Sequence, residues 1–385
     1  MIDLPLRKLR PGMVISQSVY NSSGASYLTK GMTLTQNYID KLRQTGIEGI
    51  HVVSTSSNIQ LKPPEDVLEE KTRVVAVKRV HDVFEAICNS GTFDIAPLEK
   101  ASVGILQNIM DRRQNLVQLT DIRTHDMYTF AHSVNVSMLS SLLGVLYGLD
   151  KAKLSELTLS ALLHDVGKVV IPKEILNKPG RLTNEEFDLI KTHPKAGSEQ
   201  IMKMPIHNRD VLSIVARQHH EHMDGTGYPD GRKGKNIHIY GRIGAIADVY
   251  DALTSSRPYK KAYTPAIAYN IMTNLSKGQF DEELIRLFFR NVAIYPVGTV
   301  LKTSAGHAIV RSIEFGKTER PLVCVFADNN GKVLKNPVDI DLSQENEVSI
   351  INVIKDNELY HLIHTMNFDP AILLLESENK AAALN

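Results

Sequence analysis

The stretch "ALLHDVGK", residues 161 to 168, carries an apolar helix into a glycine and delivers an imidazole and a carboxylate, His164 and Asp165, at its end. It closes the run "KAKLSELTLSALLHDVGK", whose apolar residues recur at helical spacing. The same period continues on both sides, in "MYTFAHSVNVSMLSSLLGVLYG", "TNEEFDLIKTHPKAGSEQIMKM", "RDVLSIVARQHHEH", "GRIGAIADVYDALTSS", "PAIAYNIMTNL" and "DEELIRLFFRNV". Residues 124–292 therefore predict a helical domain of about seven helices. Thr183 with Glu186 spells a capping box, and Asp150 and Asn208 stand where helix N-caps are expected.

The flanks read differently. Residues 1–62 hold short β-branched runs around one helix, "TQNYIDKLRQTG", which predicts a small α+β domain. Residues 63–123 read as a linker followed by connecting helices. From Tyr295 the period changes to two, and "DNNGK" at 328 to 332 is a hairpin-turn signal, so 293–370 predicts a small β-rich domain. The tail, 371–385, has little to pack and is expected to be disordered. The fold class is thus multidomain and mainly α, a helical domain between a small α+β domain and a small β domain.

Composition narrows the function. Of 385 residues, 43% are hydrophobic, and 44 Lys and Arg face 43 Asp and Glu. That near-neutral balance argues against a nucleic-acid polymer as partner. The two cysteines, Cys88 and Cys324, are far apart and suggest neither a disulfide framework nor a thiolate metal site. The N-terminus lacks the apolar core of a signal peptide, and Val136 to Leu149 falls short of the roughly 18 residues a membrane span needs. The expectation is a cytoplasmic protein without a membrane span.

Taken alone, His164 and Asp165 read as a packed histidine beside a capping aspartate. The rest of the chain changes that reading. His132 lies on an amphipathic helix, His193 precedes Pro194, His219 and His220 close another helix, and Asp248 sits inside the apolar run "IGAIADVYDAL". A charged aspartate there is costly to bury without a positive partner. Five imidazoles and two carboxylates without thiolates suit Fe, Mn, Zn or Ni. Seven ligands exceed what one ion takes while leaving an open position, so two metals follow. A carboxylate between ions about 3.5 to 4 Å apart can bridge them, and Asp165 is the candidate.

"HDVGK", then "HHEHMDGTGYP", then "ADVYDALTSSRPYKKA" resembles the HD-GYP subgroup of the HD phosphohydrolase superfamily, the likeness running from about His125 to Lys261. The resemblance implies an all-helical, metal-dependent phosphodiesterase that cleaves the bacterial second messenger cyclic di-GMP through a metal-bridging hydroxide. It also implies a distribution of ligands: His132, His164, Asp165 and Asp248 on one ion, Asp165, His193, His219 and His220 on the other. Two divalent transition-metal ions are expected, Fe or Mn first, with Zn, Ni and Mg as alternatives. Asp165 and Lys168 are the catalytic assignments; Lys168, Arg257 and Lys260 would meet the substrate's phosphates. Glu221 and Asp251 are candidates to accept the free N–H of ligating imidazoles.

Relatives with three metals carry a glutamate one turn before the first histidine ligand, where this chain has Tyr128. A phenol, with an ordinary pKa of about 10, is a poor ligand there, which predicts two metals. Since the third metal goes with cleavage to GMP in the family, the resemblance then implies linear pGpG as the main product. The segment beginning "IDLPLRKLRPGM" resembles a small domain of unknown function that often precedes HD-GYP modules. The competing readings are an HD-type phosphohydrolase acting on another guanine nucleotide, and a cyclic di-GMP sensor that docks a protein partner through the GYP loop or the N-terminal domain.

Overall fold

The computed structural model describes residues 2–15, 18–20, 26–29, 31–44, 49–54, 67–89, 94–112, 128–176, 178, 180–255 and 262–374. In chain order, the N-terminal region gives β1 (Ile2–Pro5), β2 (Val14–Ile15), β3 (Val19–Tyr20), β4 (Ser26–Leu28), α1 (Gln36–Arg43) and β5 (Gly49–Ser54). A helical series follows: α2 (Glu70–Cys88), α3 (Ala96–Asp111), α4 (Tyr128–Tyr147), α5 (Lys151–Leu162), α6 (Lys173–Leu176), α7 (Asn184–Ile190), α8 (His193–Lys203), α9 (Arg209–Leu212), α10 (Ile214–Gln218), α11 (Ile239–Thr254), α12 (Pro265–Leu275) and α13 (Glu282–Phe289). The last elements are β6 (Val300–Thr303), β7 (Gly306–Ser312), β8 (Leu322–Ala327), β9 (Val333–Asp341), β10 (Ile350–Val353) and α14 (Asp356–Met366).

These elements form two units. One gathers Met1–Glu65 with Arg290–Asn385. Its antiparallel sheets run β1-β5-β2, β3-β4 and β10-β6-β7-β8-β9, and the turn at Asp328–Lys332 joins β8 to β9 with Gly331 at φ 83°. Leu4, Ile15, Ile39 and Ile50 share one apolar core with Ile309, Phe326, Leu359 and Leu373. The two flanking regions, which the sequence separates into domains, are therefore built as one. A three-stranded sheet with one short helix buries too little apolar surface to stand alone, and the second sheet supplies the rest. Two details differ from the sequence reading. The C-terminal region ends in a helix, α14, and Leu373, inside the expected tail, is buried.

The other unit is helical and begins at Asp66, so α2 and α3 belong to its core instead of leading into it. Its centre is α4, which carries no Asp, Glu, Lys or Arg. The stretch Phe130–Tyr147 is long and apolar enough to cross a membrane, unlike the shorter run singled out from sequence, but 78% of it is buried within the protein. Val134, Met138, Leu139, Leu142 and Leu143 are fully enclosed as α4 packs on α5, α11, α2 and α13. Each such side chain contributes about 1.5–3 kcal/mol by leaving water.

Helix boundaries follow local chemistry. Asp150 caps α5 by accepting from the Lys153 amide, and Thr183 and Glu186 form the reciprocal capping box of α7. Asn208 precedes α9 in a left-handed conformation, yet its side chain donates to Glu156 Oε1 instead of capping. The runs "TNEEFDLIKTHPKAGSEQIMKM" and "RDVLSIVARQHHEH" each break into two helices, α7–α8 and α9–α10. The first break brings His193 to the start of α8, beside Pro194, which tolerates a first helical turn because it needs no amide partner there.

Candidate metal centre

Four of the five expected histidines sit at helix junctions, where the last carbonyls of a helix have no amide partner of their own. His164 follows α5 and its Nδ1 donates to Ala161 O at 2.8 Å. His193 follows α7 and its Nδ1 donates to Ile190 O at 2.7 Å. His219 follows α10 and its Nδ1 donates to Val215 O at 2.9 Å and Ala216 O at 3.1 Å. A carbonyl only accepts, so each of these rings holds its proton on Nδ1 and turns the Nε2 lone pair inward.

His132, in the middle of α4, has no such carbonyl to use. Asp248 and Asp251, one turn apart on α11, hold it instead: Asp248 Oδ1 is 3.0 Å from Nε2 and Asp251 Oδ2 is 2.6 Å from Nδ1. Asp251 also accepts from Asn135 Nδ2 and Ser255 Oγ. Burial opposes a charged His132, but the hydrogen bonds to Asp248 and Asp251 outweigh it and hold the imidazolium up to about 9. On the other side burial dominates. It pushes His193 down to about 4, His220 to about 3, and His219 well below the usual histidine range.

Asp165 lies between the two sets and is 1% exposed. Its Oδ2 is 3.3 Å from His164 Nε2 and 3.8 Å from His132 Nε2; its Oδ1 is 3.5 Å from His193 Nε2 and 3.9 Å from His219 Nε2. Ligand atoms of His132, His164 and Asp165 lie within 4.8 Å of one another, as do those of His193, His219 and His220. Burial works against the Asp165 charge, yet His164 and the Lys168 ammonium, 2.5 Å from Oδ2, hold its carboxyl well below the usual range. Buried Asp165 Oδ1 and His164 Nε2 have no hydrogen-bond partner among the described residues. A buried carboxylate oxygen without a donor is costly, and inward Nε2 lone pairs beside it form a donor set suited to divalent transition metals.

A contact that sequence reasoning missed makes this approach possible. A Cβ on Gly167 would stand 2.0 Å from His193 O and 2.4 Å from Gly197 N, so only glycine lets the turn after Asp165 press on the start of α8. The HHEHMDGTGYP loop is built in the same way. Gly227 packs where a Cβ would meet His222 N at 2.3 Å and His220 O at 2.5 Å, and the Tyr228 amide donates to His220 O. The Tyr228 ring stacks on His220 with centroids 4.7 Å apart.

Glu221, expected beside an imidazole, does something else. Its two oxygens accept from the Asp230 and Arg232 amides at 2.7 and 2.8 Å, and Arg217 clasps Asp230 through two hydrogen bonds, so the loop is folded back onto its own start. The direction of a buried carboxylate beside several unpaired amides is not written in the sequence. Arg257 and Lys260 lie outside the described residues, as does the side chain of Tyr128.

Residues 106–284 match a family model described as HD domain. Residues 106–284 of the helical unit form an HD domain. Its His164–Asp165 pair and the loop ending in Gly227, Tyr228 and Pro229 make it one of the HD-GYP type. Relatives agree. The cyclic di-GMP phosphodiesterase PA4108 of Pseudomonas aeruginosa is 36% identical over 267 residues, 68% of this chain and 62% of that protein. The cyclic di-GMP phosphodiesterase response regulator RpfG of Xanthomonas campestris pv. campestris is 38% identical over 176 residues, 45% of this chain and 47% of its own. The 3'3'-cGAMP-specific phosphodiesterase 1 of Vibrio cholerae is 34% identical over 200 residues, 52% of this chain and 45% of that protein. This chain thus spans between 45% and 62% of the length of these relatives.

Proposed function

We propose that this protein is a metal-dependent phosphodiesterase that hydrolyses cyclic di-GMP, chiefly to linear pGpG. One observation carries the reading: the two oxygens of buried Asp165 face two separate histidine groups, the geometry of a carboxylate shared by two cations. His132, His164, Asp165 and Asp248 would hold one ion and Asp165, His193, His219 and His220 the other, with iron or manganese favoured by the nitrogen and oxygen donors. Two such ions supply the charge that activates water and offsets negative charge on a phosphodiester.

The protein's part is positioning. Asp165 fixes the separation of the two groups. Lys168, about one quarter exposed, has its ammonium on Asp165 Oδ2, from where it would be placed to meet a phosphate oxygen if cations engaged Asp165. Arg257 and Lys260 are the further phosphate contacts, Arg for bidentate and Lys for point-charge interaction. The product assignment rests on Tyr128 standing where a third-metal glutamate would be needed.

A second substrate, 3'3'-cGAMP, has support of its own, because relatives at 34% and 36% identity are named for it. The test loads anaerobically purified protein with Fe(II) or Mn(II) and supplies cyclic di-GMP, 3'3'-cGAMP and dGTP in parallel. Products are resolved by chromatography and metals counted per chain. The expected result is two ions and early pGpG from cyclic di-GMP. Preferred turnover of 3'3'-cGAMP selects the second substrate, three ions with dominant early GMP refutes the product assignment, and binding without turnover indicates a sensor.

A further inference from the structure

Behind His132 a chain of hydrogen bonds leads out of the metal centre to a buried guanidinium on α2. Arg73 is 2% exposed. Its Nη1 donates to Asn135 Oδ1 at 2.5 Å, Asn135 Nδ2 donates to Asp251 Oδ1 at 2.8 Å, and Asp251 Oδ2 accepts from His132 Nδ1 at 2.6 Å. The polarity of the whole chain is set at its far end. A guanidinium has donors only, so the Asn135 oxygen must face it and the Asn135 NH2 must face Asp251. Asp251 Oδ1 is then occupied by Asn135 and Ser255, and Oδ2 is left to take the Nδ1 proton of His132. With Nδ1 engaged there, His132 Nε2 lies 3.8 Å from Asp165 Oδ2 and 3.0 Å from Asp248 Oδ1.

We propose that Arg73 is a positioning residue for the metal centre: through Asn135 and Asp251 it holds the Nδ1 proton and the ring orientation of His132, tying cation binding on that side to the placement of α2. The inference rests on the two-cation reading above. Two features favour it over a purely structural role. Arg73 lies upstream of the matched HD domain, residues 106–284, so the centre is completed from outside it. And among the candidate metal ligands, His164, His193 and His219 tie Nδ1 to backbone carbonyls, whereas His132 ties it to a side chain.

The test uses the full chain with Arg73→Met, Arg73→Lys and Asn135→Ala. Mn(II) is titrated into each protein and bound metal counted against free metal. Ring resonances of the histidines are recorded by long-range proton–nitrogen NMR on the metal-free proteins. Arg73→Met and Asn135→Ala should each weaken one of the two ions by about 10–100-fold while leaving the other in place, with Arg73→Lys, still a pure donor, recovering part of the loss. In the metal-free state the His132 resonances should move while those of His193 and His219 stay. A general loss of structure would remove both ions together. Equal weakening of both ions, or unchanged affinity with unmoved His132 resonances in Arg73→Met and Asn135→Ala, overturns the inference. A wild-type protein that holds fewer than two ions refutes the two-cation reading instead, and the metal-free resonances still decide the role of Arg73.

Discussion

The two halves of the centre solve one problem by different means. Around His193 and His219 the backbone orients the ligands: each ring is tied to a carbonyl of the preceding helix, and burial keeps it neutral. Around His132 side chains do the work, with Asp248 and Asp251 on its two nitrogens and Asn135 and Arg73 behind. A backbone tie survives most substitutions, whereas a side-chain relay can be cut at any member. The His132 half should therefore be the one that distant mutations and pH can tune.

Removing what the halves share should have the largest effect. Asp165→Asn should lower turnover by about 10^3-fold or more and reduce bound metal on both sides, read by product formation and metal analysis. Retained turnover would remove the shared-carboxylate reading. Next comes a cut on one side only: Asp251→Asn should weaken a single ion by about 10–100-fold and leave the other, as seen in a metal titration. Loss of both ions would mean that the halves are not separable.

Gly167→Ala tests the backbone-tied half. The new methyl must displace the His193 carbonyl region, so the variant should lose about 1–3 kcal/mol in a denaturant melt and bind metal more weakly on the His193 side. A methyl accommodated without loss would show that the close approach is not required.

The contrast also predicts a pH profile for the metal-free protein. His193 and His220 titrate at about 4 and 3 when folded, against an ordinary 6.5. Between those values the unfolded chain binds more protons, so stability falls as pH drops from 6.5 toward 4. His132 is raised to about 9, so its contribution is full below 6.5 and is lost as pH rises through 9. Stability should peak near pH 6.5 and fall toward both acid and alkali. Urea melts at pH 5, 6.5 and 9 check this, and His132→Asn should flatten the alkaline limb alone. The smallest effect belongs to Tyr228→Phe: the stack on His220 survives, so metal affinity should change less than about twofold.

Much of the centre is legible in the residues alone. Asp248 and Asp251 stand three residues apart in an apolar helix, a spacing that puts both carboxylates on one face. His164, His193 and His219 stand where helical periods stop. Other parts are not legible. Glu221 reads as an imidazole partner by adjacency, but a side chain next to a ligand in sequence can turn to nearer amides, here those of Asp230 and Arg232. Arg73 carries no signal, because it lies 62 positions from Asn135 and looks like any helix arginine.

By itself, the sequence determined the candidate donor set, the helical unit around it and the two kinds of flank, because residue chemistry and periodicity are local properties. Only the tertiary structure decided that the flanks share one core, that Gly167 and the start of α8 touch, and that a guanidinium on α2 is linked through Asn135 and Asp251 to His132. Those are contacts between segments far apart in the chain, and they form only because each buries a surface or a polar group that its own segment cannot satisfy.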